Sequence, residues 1–285
     1  MIGLCTDSNG QLPADLIARF DAEVVPLTII VDDVEFAEGE NLDADGFYAR
    51  FDRDHTPMVS TSQPSPGRFA LAYRALAERG ARQILSVHVG SAVSGTLNSA
   101  RIAAEASPVP VRLVDTGTAS FGISCCLWAA AEAIEDGATI AEAAHIAESL
   151  VPNIGNVFVV RALDLVRAGG RLGASAQQAD DAPGAVPVLT LRDGKVEVVA
   201  MAANVDDAVA AMSAMIVGAG EDLRVAVGVA DAAARPLSDA LTASVRSAAN
   251  ITDCVTYRVG PSIGAHTGPG TAGAFFFTAP SRGPR

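Results

Sequence analysis

Ile84-Leu85-Ser86-Val87-His88-Val89, followed by Gly90-Ser91-Ala92-Val93-Ser94-Gly95-Thr96-Leu97-Asn98-Ser99-Ala100, is the stretch whose reading decides the fold. Its first six residues are short, mostly apolar and rich in β-branched side chains, which predicts a buried strand. The pattern from Leu97 to Ala106 predicts a helix, so the hydroxyl-rich residues between form a strand-to-helix loop. Upstream, Ser60-Thr61-Ser62-Gln63-Pro64-Ser65-Pro66-Gly67-Arg68-Phe69 leads into another helix. Pro66 suits the first helical position because its missing N–H has no intrahelical acceptor there, which makes Ser65 the N-cap. The residues before that cap are expected to form an irregular binding loop, with Thr61 and Ser62 offering neutral hydroxyls to an anion.

Strand and helix alternate on both sides of this centre. Ile2 to Cys5 reads as a strand, and Asp7-Ser8 after it either meets a ligand or caps a helix beginning near Pro13. Val24 to Val31 is a second apolar run, and Asp32-Asp33 turns it into a hairpin with Val34-Glu35-Phe36. Phe47, Tyr48 and Phe51 repeat at helical spacing, as do Phe69, Tyr73 and Leu76, the latter helix closed by Gly80. Val111 to Val114 is a further strand; residues 119–136 and 139–151 read as helices, with Thr139 and Glu142 forming a capping box. This alternation predicts an α/β fold, with an N-terminal, mostly parallel sheet flanked by helices on both faces across residues 1–155.

At Val157-Phe158-Val159-Val160 the composition shifts, and residues 156–280 read as a C-terminal α+β domain, with 281–285 a disordered tail. The stretch Gly173 to Gly184 is polar and alanine-rich and is expected to be a mobile loop. Asp193-Gly194 predicts a hairpin between Val186 to Leu191 and Val196 to Ala200. Val205 to Val217 and Leu237 to Ala249 read as helices, and Arg224 to Val229 and Ile251 to Val259 as strands. A glycine-rich loop at 260–270 precedes a final strand carrying Phe275-Phe276-Phe277.

Composition narrows the function. Of 285 residues, 49% are hydrophobic and 19% charged, so a sizeable core is expected. A net charge of −13 argues against nucleic acid and against an anionic membrane surface, because both reward basic residues. Cys5, Cys125, Cys126 and Cys254 show no metal spacing, and the N-terminus shows no leader pattern, so a soluble, reduced, cytoplasmic protein is expected. Asp32-Asp33 with Glu35, Glu38 and Glu40 lacks the ligand spacing of a calcium loop. His55 reads as exposed, and His145, which with Glu148 could suggest a metal pair, reads as a structural or surface histidine. Gly268-Pro269-Gly270-Thr271-Ala272-Gly273 matches G-x-G-x-x-G, yet it leads into a strand rather than a helix, so no dinucleotide site is expected. Neither Ser62 nor Ser94 lies in a G-x-S-x-G elbow. An enzyme acting on a small acyl or phosphoryl substrate through Ser94 and His266 is the alternative to a binding protein.

Thr-Ser-Gln-Pro-Ser at 61–65 and Ser-x-x-Ser-Gly-Thr-x-x-Ser-Ala at 91–100 together resemble the DegV family of bacterial fatty-acid-binding proteins. Asp7-Ser8, Val114-Asp115-Thr116, Gly169-Gly170-Arg171-Leu172 and Gly264-Ala265-His266-Thr267-Gly268-Pro269-Gly270 follow in the family's order, so the resemblance spans nearly the whole chain. It implies a non-catalytic protein without a cofactor that binds a long-chain fatty acid in an apolar tunnel between its domains. By the same resemblance Thr61 and Ser94 donate to the carboxylate and Ser62 and His266 support it, with Ser91, Gly95, Thr96 and Gly268 shaping the loops. It further implies presentation of the acyl carboxylate to a separate fatty acid kinase in phospholipid synthesis, with Arg171 as a contact for phosphate or kinase. The chain departs from the family on that side. Val186-Pro187 lacks the usual lysine, Met201-Ala202-Ala203-Asn204 lacks a basic element, the loop from Gly173 to Ala185 is short, and Gly90 replaces a serine.

Overall fold

Fully buried residues at consecutive positions of the first strand, Leu4, Cys5, Thr6 and Asp7, require cover on both faces of its sheet. The computed structural model describes residues 1–51, 56–161, 163–168, 170, 172–179, 184–192 and 194–278. His55, Gly169, Arg171, Asp180-Asp181, Asp193 and the tail at 281–285 therefore lie outside the described residues. The chain divides into two compact units, Met1–Asn41 with Met58–Asn153, and Leu42–Pro57 with Ile154–Ala279.

In chain order the elements begin with β1 (Ile2–Asp7), α1 (Ala14–Phe20), β2 (Glu23–Val25), β3 (Thr28–Val31), β4 (Val34–Ala37), α2 (Ala44–Tyr48) and β5 (Val59–Ser62). There follow α3 (Pro66–Glu78), β6 (Gln83–His88), α4 (Thr96–Ala104), β7 (Val111–Asp115), α5 (Phe121–Glu135) and α6 (Ile140–Leu150). The remainder is β8 (Gly155–Val159), α7 (Leu163–Ala168), α8 (Ala174–Ala179), β9 (Val186–Arg192), β10 (Lys195–Ala202), α9 (Val205–Val217) and β11 (Leu223–Val229). It closes with α10 (Arg235–Arg246), β12 (Ile251–Arg258), α11 (Pro261–Thr267) and β13 (Ala272–Thr278).

The first unit is built on a parallel sheet of order β2-β1-β6-β7. Phe69, Ala72, Tyr73 and Leu76 of α3 and Ala100 and Ala103 of α4 pack with Cys5 and Ile84 on one face. The long apolar α5, buried from Phe121 to Ala131, and α6 cover the other. Strand order reverses between β1 and β6, so the loops after these strands open onto the crevice where α/β sheets bind ligands. Local signals hold here: Ser65 accepts from Arg68 N, Pro66 occupies the first turn, and Thr139 and Glu142 complete a capping box.

Two expectations fail in this unit. Val24 to Val31 is not one strand but two, β2 in the parallel sheet and β3 in a separate antiparallel sheet of order β4-β3-β5. Asp32 and Asp33, at φ of 48° and 66°, make the β3–β4 turn, as a two-residue hairpin requires. Ser60, Thr61 and Ser62 are not irregular either, since they pair with Ile30, Ile29 and Thr28 in β5.

The second unit carries a mixed sheet of order β10-β9-β8-β13-β11-β12. Helices α9 and α10 cover one face through Met212, Ile216, Leu237, Leu241 and Val245, while Leu163 and Val166 of α7 meet Leu189 and Val196 on the other. Directly opposed residues pair glycine with an aromatic ring: Gly155 with Phe276, Gly228 with Tyr257 and Gly273 with Phe158. At Gly155 and Gly228 the ring lies over the space that a side chain on the glycine would fill, while at Gly273 the Phe158 Cβ and the Val157 carbonyl fill it.

Three further corrections belong here. Residues 174–179 are helical where the composition predicts a mobile loop, and Pro261–Thr267 is helical where it predicts a glycine-rich loop. Residues 42–57 group with the second unit rather than with residues 1–155. Tyr48 donates to the Val259 carbonyl at 3.0 Å, Arg258 meets Asp45 at 2.7 Å, and a Cβ on Gly264 would stand 2.6 Å from the Tyr48 hydroxyl. These partners lie more than 200 residues apart in the chain, and no local pattern encodes them.

Candidate functional site

Thr61 is held by β3 through its register with Ile29, and Ser62 by its register with Thr28. Strand alternation sends their side chains to opposite faces, leaving Thr61 half-buried and Ser62 exposed. The chain then runs against the start of α4. A Cβ on Gly95 would lie 3.0 to 3.2 Å from the Gln63 amide group, so the two hydroxyl-rich segments are neighbours and the glycine lets the Gln63 amide sit close. Gln63 is a contact that sequence reading passes over, although it sits inside the quoted motif.

Ser94 is half-buried at the head of α4, with its hydroxyl 2.8 Å from that of Thr96 and accepting from Thr96 N at 3.3 Å. It stands just before the helix, whose N-cap position is Gly95 and carries no side-chain capping bond. The first turn of a helix presents N–H groups without intrahelical acceptors, and its dipole favours an anion. The loop leading to it is tightly fixed. Gly90 N donates to Thr118 O at 2.8 Å, and a Cβ at Gly90 would meet the Gly117 backbone at 2.7 Å. Ser91 donates through both its N–H and its hydroxyl to Asp115. The absence of a serine side chain at position 90 thus has a steric cause.

A polar relay lies behind this loop. Tyr73 OH is 3.0 Å from Ser86 Oγ, Ser86 Oγ is 2.6 Å from His88 Nε2, and His88 Nδ1 is 2.9 Å from Asp7 Oδ2. Nucleophile, base and orienting carboxylate stand in the order of a catalytic triad. All four side chains are nevertheless at 0% exposure, and Phe69 packs edge-on against the imidazole. No substrate reaches Ser86 in this conformation, so the relay is structural. Burial pushes the Tyr73 hydroxyl pKa well up, as it does the Cys5 thiol. Sequence reading misses the relay. Its signal is a pair of polar residues, Ser86 and His88, two apart on one face of a strand that is otherwise apolar.

His266 and Gly268 belong to the second unit. His266 is half-buried in the last turn of α11, which Gly268 ends with φ of 72° and an N–H bond to Gly264 O. A Cβ on Gly268 would strike Leu165, and one on Gly270 would strike the stem of Arg161. Gly273 of the G-x-G-x-x-G match lies within β13, where it opens no helix. Among the described residues no cluster suited to a metal is present, and no helix is long and apolar enough to cross a membrane. His145 is exposed on α6, beside Ser149.

A family model described as "Uncharacterised protein, DegV family" matches residues 1–279. The chain belongs to the DegV family. A DegV domain-containing protein of Streptomyces coelicolor is 34% identical over 273 residues, covering 95% of this chain and 96% of the relative. Among solved structures, a DegV family protein from Thermus thermophilus described by its fatty acid binding superposes with a TM-score of 0.87 at 30% identity, covering 97% of this chain and 99% of the other. A Thermotoga maritima protein whose structure is said to reveal a fatty acid binding function gives 0.83 at 25% identity, with coverage of 97% and 99%. The α/β architecture with its parallel sheet is that of these DegV structures.

Proposed function

We propose that this DegV protein binds one long-chain fatty acid, its carboxylate held by Thr61 and Ser94 with Ser62 and His266 in support. The observation that carries the reading is the likeness, over nearly the whole of both chains, to a DegV structure described by its fatty acid binding. The adjacency of the Thr61–Gln63 segment to the Ser94-Gly95-Thr96 turn that leads into α4 supports the head-group assignment. Neutral hydroxyls suit a carboxylate that must be held without a counter-charge, each hydrogen bond to a charged group being worth about 1.5 to 3 kcal/mol. Most of the affinity then comes from the tail, at about 0.8 kcal/mol per buried methylene.

The reading extends to handing the carboxylate to a separate fatty acid kinase in the cytoplasm, as a non-catalytic partner. No feature of Ser94 favours the hydrolase alternative, because its hydroxyl is engaged locally with the hydroxyl and the N–H of Thr96. Native mass spectrometry of freshly purified protein, followed by extraction, tests the binding. The expected result is one fatty acid per chain, lost or weakened in Thr61→Ala and Ser94→Ala. A bare chain that also fails to take up added fatty acids sinks the proposal. Acyl-phosphate formation on mixing the loaded protein with a fatty acid kinase and ATP tests the presentation step.

A further inference from the structure

Three successive N–H groups of the serine loop each have a fixed acceptor, and two of those acceptors are carboxylates. Val89 N donates to Asp7 Oδ2 at 3.1 Å, Gly90 N to Thr118 O at 2.8 Å, and Ser91 N to Asp115 Oδ1 at 3.1 Å. Val93 N and Ser94 N then turn back onto Gly90 O at 3.0 and 3.1 Å. Asp7 stands at the end of β1 and Asp115 at the end of β7, on either side of β6, from which the loop emerges. The loop is therefore gripped from both neighbouring strands before α4 begins at Thr96.

Asp7 is buried and belongs to the relay, but Asp115 is exposed and outside it. Its carboxylate accepts from Ser91 N, the Ser91 hydroxyl and Gly117 N. Burial pushes this carboxyl pKa up, yet the bonds from Ser91 and Gly117 outweigh that and hold it below the ordinary value. A fixed negative charge beside a loop that receives an anion opposes binding by repulsion. Its favourable effect must act through the backbone, by directing the Ser91 N–H away from the ligand and leaving Ser94 and the first turn of α4 as the donors.

We propose that Asp115 is a positioning residue, which aims Ser94 at the ligand head group by anchoring the Ser91 end of the loop. This rests on the reading that the serine loop receives a carboxylate. The test compares palmitate with hexadecanol, which keeps the tail and removes the charge. Asp115→Ala is expected to weaken palmitate about tenfold, the loss of one hydrogen bond to a charged group, and to leave hexadecanol unchanged. Asp115→Asn, which keeps a carbonyl oxygen for the Ser91 N–H, is expected to recover most of the palmitate affinity. Amide exchange of residues 89–94 in the unliganded protein should rise in Asp115→Ala and return toward wild type in Asp115→Asn. Unchanged palmitate affinity in Asp115→Ala, or equal loss of palmitate and hexadecanol, overturns the proposal. Should wild-type protein bind neither, the fatty acid reading fails on its own account; the anchor is then judged by exchange, and unchanged exchange overturns it.

Discussion

At His88, burial and hydrogen bonding are matched atom by atom. The ring lies at 0% exposure between a carboxylate and a hydroxyl, with the partners assigning the proton to Nδ1 and leaving Nε2 to accept from Ser86. His88→Ala removes a donor from a buried carboxylate and leaves a cavity, so a loss of about 3 kcal/mol is expected. Urea unfolding measures it, and a loss too small to resolve would mean that Asp7 finds other partners. A second consequence concerns thiols. Burial pushes Cys126 up to about 12 from the ordinary 9.0. The folded state therefore holds this proton more tightly than the unfolded chain does. The stability so contributed is complete below pH 9.0 and is lost as pH rises through about 12. Replacing Cys126 with alanine should flatten the fall in urea midpoint over that alkaline window; identical slopes would refute it.

Among elements, β13 carries a steric demand set partly by backbone. Gly273 sits directly opposite Phe158, and a Cβ there would stand 2.4 Å from Phe158 Cβ and 2.5 Å from Val157 O. Backbone cannot swing aside as a side chain can, so Gly273→Ala should cost about 1 to 3 kcal/mol or more through overpacking. Gly67, in the first turn of α3, meets only an ordinary contact at 3.6 Å. Gly67→Ala should instead raise stability, by up to about 1 kcal/mol, because alanine loses less backbone entropy. Thermal melts of the two variants should move in opposite directions. A stable Gly273→Ala would show that β8 and β13 can separate without loss.

For the whole molecule, a ligand held only by the native chain adds to stability by mass action, about 2.7 kcal/mol at a free concentration one hundred times the dissociation constant. Extracting bound lipid should lower the melting temperature, and adding palmitate back should restore it in a concentration-dependent manner. A melting temperature indifferent to both steps would count against a specific lipid site. Each unit has a sheet with apolar side chains on both faces. Their strand patterns differ, however: β1 and β6 of the parallel sheet are buried at almost every residue, whereas β10 alternates toward solvent along its edge.

Features decided over a few residues were legible in the sequence. Ser65 capping α3, Thr139 and Glu142 capping α6, and the span of α9 depend on contacts within one turn of helix, so residue type and spacing suffice. The motif order of the hydroxyl loops likewise identified the family. Long-range pairing decided the rest. Thr61 looks like loop because serine and threonine offer no apolar alternation, and it became strand only because β3 supplied a partner. Helix α11 is too short to display a period, and it took a close approach of Phe47 and Tyr48 to Gly264 to place residues 42–57 in the second unit. Asp7 and His88 are 81 residues apart. Their meeting depends on β1 lying beside β6, a neighbour relation that no local run of sequence encodes.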